Sequence, residues 1–188
     1  KILQPMGCNF GDLDNDGWLD IYLGTGNPSY EDLVPNRMLK SAGGRRFDDV
    51  TTAGGFGHLQ KGHAIAFGDL DDDGDQDVYA VMGGAFTGDV AHNALFENPG
   101  NRNHFLKLEL FGTRSNRAAI GARVHLRVID GGGRARDLFS TVSSGSSFGS
   151  SAFRRELGLG DARTLVAVEI RWPSGALQRL ERLAMDRF

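Results

Sequence analysis

The chain has 188 residues, a formal net charge of −3 at pH 7, 40% hydrophobic residues and 27 glycines. This composition predicts one or two turn-rich β domains. We find no basic stripe and no long apolar run, which argues against a nucleic-acid partner and against a membrane span. A single cysteine, Cys8, excludes an internal disulfide.

Two acidic loops recur along the chain. Residues 12–20 read Asp-Leu-Asp-Asn-Asp-Gly-Trp-Leu-Asp, and residues 69–77 read Asp-Leu-Asp-Asp-Asp-Gly-Asp-Gln-Asp. Two carboxylates about 5 Å apart repel by roughly 3 kcal/mol at an effective dielectric constant of about 20. Because Ca²⁺ is bound by about six to eight oxygens, it would turn each cluster into a coordination shell. We therefore predict two calcium ions, one in each loop.

The spacing within each loop predicts the ligands. Gly17 and Gly74 hold the sixth position, where a sharp turn favours a residue that tolerates positive φ. The first ion is expected to bind Asp12, Asp14, Asp16, the Trp18 carbonyl and Asp20. The second is expected to bind Asp69, Asp71, Asp73, the Asp75 carbonyl and Asp77.

The same loops admit two other interpretations. An EF-hand needs a bidentate glutamate at position twelve and a helix on each side. Position twelve is Leu23 in one loop and Ala80 in the other, and β-branched and aromatic residues follow both loops, which predicts strands. The EF-hand is therefore excluded. The other alternative is a solvated acidic turn without metal, against which the recurrence of the same pattern argues.

The loops belong to a longer repeat. Asp12 and Asp69 lie 69 − 12 = 57 residues apart, and Phe10, Tyr22 and Asn36 recur at the same offset. A period of this length with several short strands predicts β-propeller blades, and the pattern ends near residue 100. Because a propeller usually needs about four to eight blades, we expect upstream blades or another chain to complete the ring.

These repeats resemble the FG-GAP/VCBS repeat family. The resemblance rests on Phe-Gly-Asp-Leu-Asp-x-Asp-Gly-x-x-Asp followed by a strand, and it covers residues 1–100. It implies calcium-loop blades whose ligands are the aspartates named above.

The remainder, residues 101–188, shows a different pattern. Apolar residues alternate with polar or small ones in three stretches, which predicts an antiparallel β domain with one buried face. The expected inward residues are Leu106, Leu108 and Leu110, then Val124, Leu126 and Val128, then Val166, Val168 and Ile170. The outward residues between them include Lys107 and Ala167.

This second part resembles the ASPIC/UnbV domain. The resemblance rests on residues 115–124, on Leu157-Gly-Leu-Gly160 and on residues 168–175. Arg155 and Glu156 precede the glycine motif where family members often have His-Phe. The predicted fold is therefore all-β: a partial β-propeller of two blades, followed by an antiparallel β-sandwich-like domain.

The leading hypothesis for function is a calcium-stabilised, non-catalytic module that presents β loops to a protein or polysaccharide partner. Extracellular calcium sites bind at about 10⁻⁴–10⁻³ M, which suits a secreted protein, or a periplasmic or cell-surface one if bacterial. The alternative is an enzyme or accessory protein of bacterial natural-product or surface-polysaccharide metabolism, as the UnbV resemblance implies. A calcium sensor would need a conformational switch, which hairpin loops tied into blades do not favour.

One catalytic pattern is present. Residues 145–149 match G-x-S-x-G, with Ser147 at its centre. A hydrolase elbow needs a strand before it, a helix after it and an α/β sheet around it, so the pattern is weak in a predicted β domain.

Overall fold

The computed structural model describes residues 3–27, 29, 34–59, 61–84, 86–88, 90–145 and 148–188. These residues form strands, turns and loops, with no helix and no closed barrel among them. The described chain thus contains no helix that could cross a membrane. The strands are β1 (Pro5–Gly11), β2 (Asp20–Thr25), β3 (Arg37–Ser41), β4 (Phe47–Asp49), β5 (Lys61–Gly68), β6 (Asp77–Gly83), β7 (Ala94–Phe96), β8 (His104–Leu108), β9 (Arg123–Ile129), β10 (Ala135–Thr141), β11 (Arg155–Gly160), β12 (Thr164–Arg171) and β13 (Leu177–Glu181). The predicted all-β fold is confirmed.

The first half contains two sheets that follow the sequence repeat. One sheet has the order β1-β2-β3-β4 and the other β5-β6-β7, with antiparallel neighbours in both. The same hydrogen bond recurs in each, from the Thr25 amide to Asn36 Oδ1 at 2.8 Å and from the Met82 amide to Asn93 Oδ1 at 3.0 Å. These antiparallel units fit two blades of a partial propeller.

The repeat breaks at its fourth strand. In the first sheet β4 pairs with β3, but β8, which follows β7, pairs with β11 instead. Leu106 on β8 is buried in the core of the second half, so its apolar side chain draws this strand away from the blade. We call the two-stranded sheet of β8 and β11 the ribbon.

The two blades share one apolar core. Glycine lets their backbones approach, because a Cβ on Gly24 of β2 would lie 2.8 Å from the carbonyl oxygen of Gly62 on β5. Tyr22 is fully buried and also donates its hydroxyl to the Phe56 carbonyl at 3.0 Å. The buried members of this core are Tyr22, Met38, Phe56, Ile65, Phe67, Val78, Ala80 and Met82.

A second core lies between the ribbon and a four-stranded antiparallel sheet of order β10-β9-β12-β13. Val124, Leu126 and Val128 face this core as predicted, and each residue is at most 1% exposed to solvent. Two packed β layers around one core fit the sandwich-like expectation.

Three side chains have the orientation opposite to the predicted one. Val166 is 37% exposed and Ala167 is buried, because the pairing of β12 with β9 shifts between Leu165 and Ala167 and reverses which side chains face inward. Lys107, expected to face solvent, is buried at 4% exposure. The reason lies in the second acidic loop, where its ammonium contacts Asp69 and Asp72.

Candidate metal centre

Both acidic loops fold in the same way. The Asp12 carboxylate accepts hydrogen bonds from the amides of Asp16 at 3.0 Å and Gly17 at 2.9 Å. In the second loop Asp69 Oδ2 accepts one from the Gly74 amide at 2.8 Å. The glycines have φ of 89° and 108°, a conformation that residues with a Cβ rarely adopt. The sharp turn expected at the sixth position is therefore present twice.

Three carboxylates converge in each loop. Asp12, Asp14 and Asp20 offer oxygens that all lie within 4.8 Å of one another, and Asp69, Asp71 and Asp73 do the same. Six of the predicted ligands are thus brought together. The remaining predicted ligands, Asp16, Trp18, Asp75 and Asp77, are not members of these triads.

The aspartate at the ninth position also ties the loop to a strand. Asp20 accepts hydrogen bonds from the amides of Leu13 at 2.9 Å and Ser41 at 2.7 Å. Asp77 accepts equivalent bonds from Leu70 and Asn98, both at 2.9 Å. This carboxylate therefore closes the hairpin whether or not it also binds a metal.

Several carboxylate oxygens in these loops fit a cation. Asp14 Oδ1, Asp69 Oδ1 and Asp75 Oδ1 are buried and have no hydrogen-bond partner within the described structure. A buried oxygen of a carboxylate that has no partner costs about 1–3 kcal/mol or more, so a further positive partner at these three atoms would be favourable. The donor set contains only oxygen, which suits a hard ion such as Ca²⁺ and not one that prefers sulfur or imidazole.

The pKa values agree with this requirement. Burial, with smaller contributions from Asp16, Asp20 and Asp14, raises the pKa of Asp12 to about 8. Burial also raises the pKa of Asp20 to about 6, and burial followed by repulsion from Asp73 raises that of Asp75 to about 7. The ionised form of each group is disfavoured without a nearby cation, and a bound divalent ion would favour it.

Two lysines already lie against the loops. Lys40 Nζ is 2.6 Å from Asp14 Oδ2, and this pair is partly exposed. Lys107 Nζ contacts the Asp69 carboxylate and lies 3.4 Å from Asp72 Oδ1, and its side chain is almost fully buried. The first loop therefore has a partly exposed lysine beside it, whereas the lysine beside the second loop is buried.

The ribbon covers the first loop. The Gly160 amide donates to the Asn15 carbonyl at 2.7 Å. A Cβ on Gly158 would overlap the Asp12 carboxylate and lie 2.5 Å from the Asn15 Cα, so only glycine fits there. Nearby, Arg136 Nη2 donates to the Asp16 carbonyl at 2.7 Å.

The ribbon and its flank cover the second loop as well. Glu156 Oε2 accepts hydrogen bonds from Gln76 Nε2 at 2.8 Å and from the Asp69 amide at 3.3 Å. Arg154 Nη1 lies 3.2 Å from Asp72 Oδ1. The residue pair that departs from the family pattern therefore contributes, through Glu156, a contact to the second loop.

Sequence reasoning missed these covering residues. Gly158 and Gly160 belong to a sequence motif that the resemblance uses, but the motif does not reveal which residues these glycines contact. Their partners lie more than a hundred positions away in the chain, and no local spacing could reveal them.

The central serine of the G-x-S-x-G pattern, Ser147, lies outside the described residues. Next to it, the Phe148 carbonyl accepts a hydrogen bond from the Ile65 amide on β5 at 3.0 Å. This flank is bound to a blade strand and is not part of an α/β sheet.

The fold and its paired acidic loops define a β-repeat protein joined to a second β domain. Residues 12–80 match the family model of the FG-GAP-like repeat, and residues 112–188 match that of ASPIC and UnbV. The two matches, in this order along the chain, confirm the predicted architecture of FG-GAP-like repeats followed by an ASPIC/UnbV-like domain. A search of curated proteins found no significant relative.

Proposed function

We propose that this chain is a calcium-stabilised, non-catalytic binding module of the extracellular type. The observation that carries the proposal is the pair of buried, unpartnered oxygens, Asp14 Oδ1 and Asp69 Oδ1, each within a triad of carboxylates in one of the two repeated loops. Calcium would supply the positive charge that these oxygens lack and would hold each hairpin closed. The proposed ligands are the ten residues derived from the spacing.

The location follows from the same chemistry. FG-GAP repeats are typical of extracellular or surface proteins, and calcium sites of roughly 10⁻⁴–10⁻³ M affinity fill only where free calcium is high. We therefore place the protein outside the cytosol, as a secreted, periplasmic or cell-surface molecule. We also place the domain boundary near residue 100, where β8 leaves the repeat, and we expect further blades or another chain to complete the propeller.

A cleft supports a binding role. It has a volume of about 460 Å³ and lies between the first loop and strand β10, with Phe10, Leu19 and Phe139 among its lining residues. Phe10 is 47% exposed and Phe139 is 76% exposed, and such aromatic faces stack on sugar rings or pack against protein side chains. We expect the protein or polysaccharide partner to contact this cleft. Retention of the wild type on a glycan array or a matrix-protein panel, lost in Phe139→Ala, would support this placement.

Calcium removal tests the stabilising role. At a free calcium concentration a hundredfold above the dissociation constant, each site adds about 2.7 kcal/mol. For a chain of this size about 1 kcal/mol corresponds to roughly 2–4 °C in Tm, so each site should contribute roughly 5–10 °C. The measurement is thermal unfolding in saturating calcium and in chelator. Superimposable curves would refute the proposal.

Matched variants localise the effect. Asp14→Asn should remove the rise in Tm that calcium binding to the first loop produces. Asp71→Asn should remove the rise that belongs to the second loop. Asp48→Asn is the control, because Asp48 is an exposed aspartate on β4 that pairs only with its near neighbour Arg46 in the described contacts. Its calcium response should equal that of the wild type. A broad hydrolase panel run with the wild type and Ser147→Ala tests the enzyme alternative.

A further inference from the structure

We propose that the two acidic loops are unequal calcium sites, because Lys107 of the ribbon supplies a built-in positive charge to the second loop and opposes the metal there. The inference rests on the proposed function, since it concerns how the two calcium sites differ. It assigns to the ribbon a role in setting calcium affinity on the repeat side.

The position of Lys107 is the first observation. Its side chain is 4% exposed, and it contacts the carboxylate of Asp69, whose own side chain has no exposed surface. Its ammonium also lies 5.7 Å from the centre of the Phe105 ring. Burial of an ammonium group is costly unless an opposite charge lies beside it, so the pair with Asp69 stabilises Lys107 in this position.

The backbone fixes that position. Lys107 lies within β8, opposite Glu156 of β11, and its amide donates to the Arg187 carbonyl at 2.9 Å. The ammonium is therefore presented by a paired strand and not by a free surface chain. Calcium entering the second loop would share the Asp69 carboxylate with this ammonium.

The first loop has a different environment at the same place. Asp12 corresponds to Asp69, and its carboxylate accepts hydrogen bonds from the amides of Asp16 and Gly17 in the described structure. The ribbon residue against it is Gly158, which carries no charge and leaves no room for a side chain. The ribbon thus sets a glycine against one loop and a lysine against the other.

The lysine of the first loop is not equivalent. Lys40 pairs with Asp14 at 2.6 Å, but the side chains are 39% and 28% exposed. Water screens such a pair and lets the ammonium leave at little cost when a divalent ion arrives. The second loop has two aspartates, Asp72 and Asp75, where the first loop has Asn15 and Trp18. Asp72 is 74% exposed and is already paired with Arg154, and neither aspartate belongs to the carboxylate triad whose Asp69 contacts Lys107.

Calcium titration of the whole chain by isothermal calorimetry tests this inference. We expect the wild type to bind two ions with dissociation constants at least tenfold apart, which corresponds to about 1.4 kcal/mol. Asp71→Asn should abolish the weaker event and Asp14→Asn the tighter one. These two variants test the inequality without altering Lys107, so the inference stays testable even if a Lys107 variant folds poorly.

Removing the charge tests the cause. Lys107→Met removes the charge, leaves an unbranched side chain one atom shorter, and should lower the dissociation constant of the weaker site at least tenfold. The control Lys40→Met should change the dissociation constant of the tighter site by less than threefold. Lys107→Gln should act in the same direction as Lys107→Met. Two equal sites in the wild type, or a weaker site unchanged in both Lys107 variants, would overturn this inference and leave the proposed calcium role intact. Absence of any calcium binding by the wild type would instead overturn the proposed function, and this inference with it.

Discussion

Replacement of Gly158 by alanine should separate the ribbon from the first acidic loop. Gly158 lies on β11 with the Asp12 carboxylate and the Asn15 backbone directly against it. The added methyl group would lie 2.5 Å from the Asn15 Cα, whereas carbon atoms normally pack at about 3.5–4.0 Å. Either the strand or the loop must therefore move by more than about 1 Å.

The size of the effect follows from two contributions. Forcing an extra carbon into a packed site costs about 1–3 kcal/mol. The movement also weakens the neighbouring hydrogen bond from the Gly160 amide to the Asn15 carbonyl, now 2.7 Å long, which is worth about 0.5–1.5 kcal/mol. A total of about 3 kcal/mol would lower Tm by roughly 6–12 °C for a chain of this length.

Thermal unfolding in saturating calcium measures this loss, and a calcium titration of the same variant should show weakened binding at the first loop. Gly68→Ala is the matched control, because a Cβ on Gly68 would meet no atom within 4 Å and the position also ends a strand beside an acidic loop. Its Tm should stay close to that of the wild type. A Gly158→Ala protein with the Tm and calcium affinity of the Gly68→Ala control would show that this contact contributes nothing to stability.

Two further predictions concern pH and the repeated asparagines. Because burial raises the folded-state pKa of Asp12 from 3.8 to about 8, the metal-free folded protein keeps a proton that the unfolded chain has lost, and its stability should fall as pH rises from about 4 to 8. The gain in Tm on adding calcium should therefore be larger at pH 8 than at pH 5. A gain that does not depend on pH would contradict this assignment. Asn36→Ala leaves the buried Thr25 amide without its acceptor and should lower the free energy of unfolding, measured in urea, by about 1–3 kcal/mol. Asn93→Ala removes the equivalent bond to the Met82 amide. Because Asn93 is exposed, water replaces its side chain there and the loss of free energy should be smaller. Equal losses would show that burial does not decide the difference.

Much of the site follows from local spacing. The alternation of aspartates around Gly17 and Gly74 predicts both loops, because a turn of fixed geometry brings alternate side chains together over a few residues. The structure gathers six of those aspartates as expected. The recurrence of Tyr22 and Asn36 one repeat later likewise predicts the paired blades, since equal sequences at a constant offset fold into equal units.

Other features escaped local reasoning. Alternation predicts that Val166 faces inward, but a bulge in β12 reverses the pattern and exposes it. The same rule sends Lys107 outward, yet Asp69 attracts it into the protein. Both errors arise where pairing or charge from a distant segment outweighs the period of a single strand.

The sequence by itself determined the repeat, the all-β class and the composition of the two acidic loops, because each depends on residues close together in the chain. Only the tertiary structure decided that the ribbon lies over both loops, with Gly158 against Asp12 and Lys107 against Asp69. The physical reason is that contacts between distant segments are fixed by which apolar faces pack together. Once Leu106 and its neighbours are buried in the second core, the strand that carries them brings its lysine to the second loop.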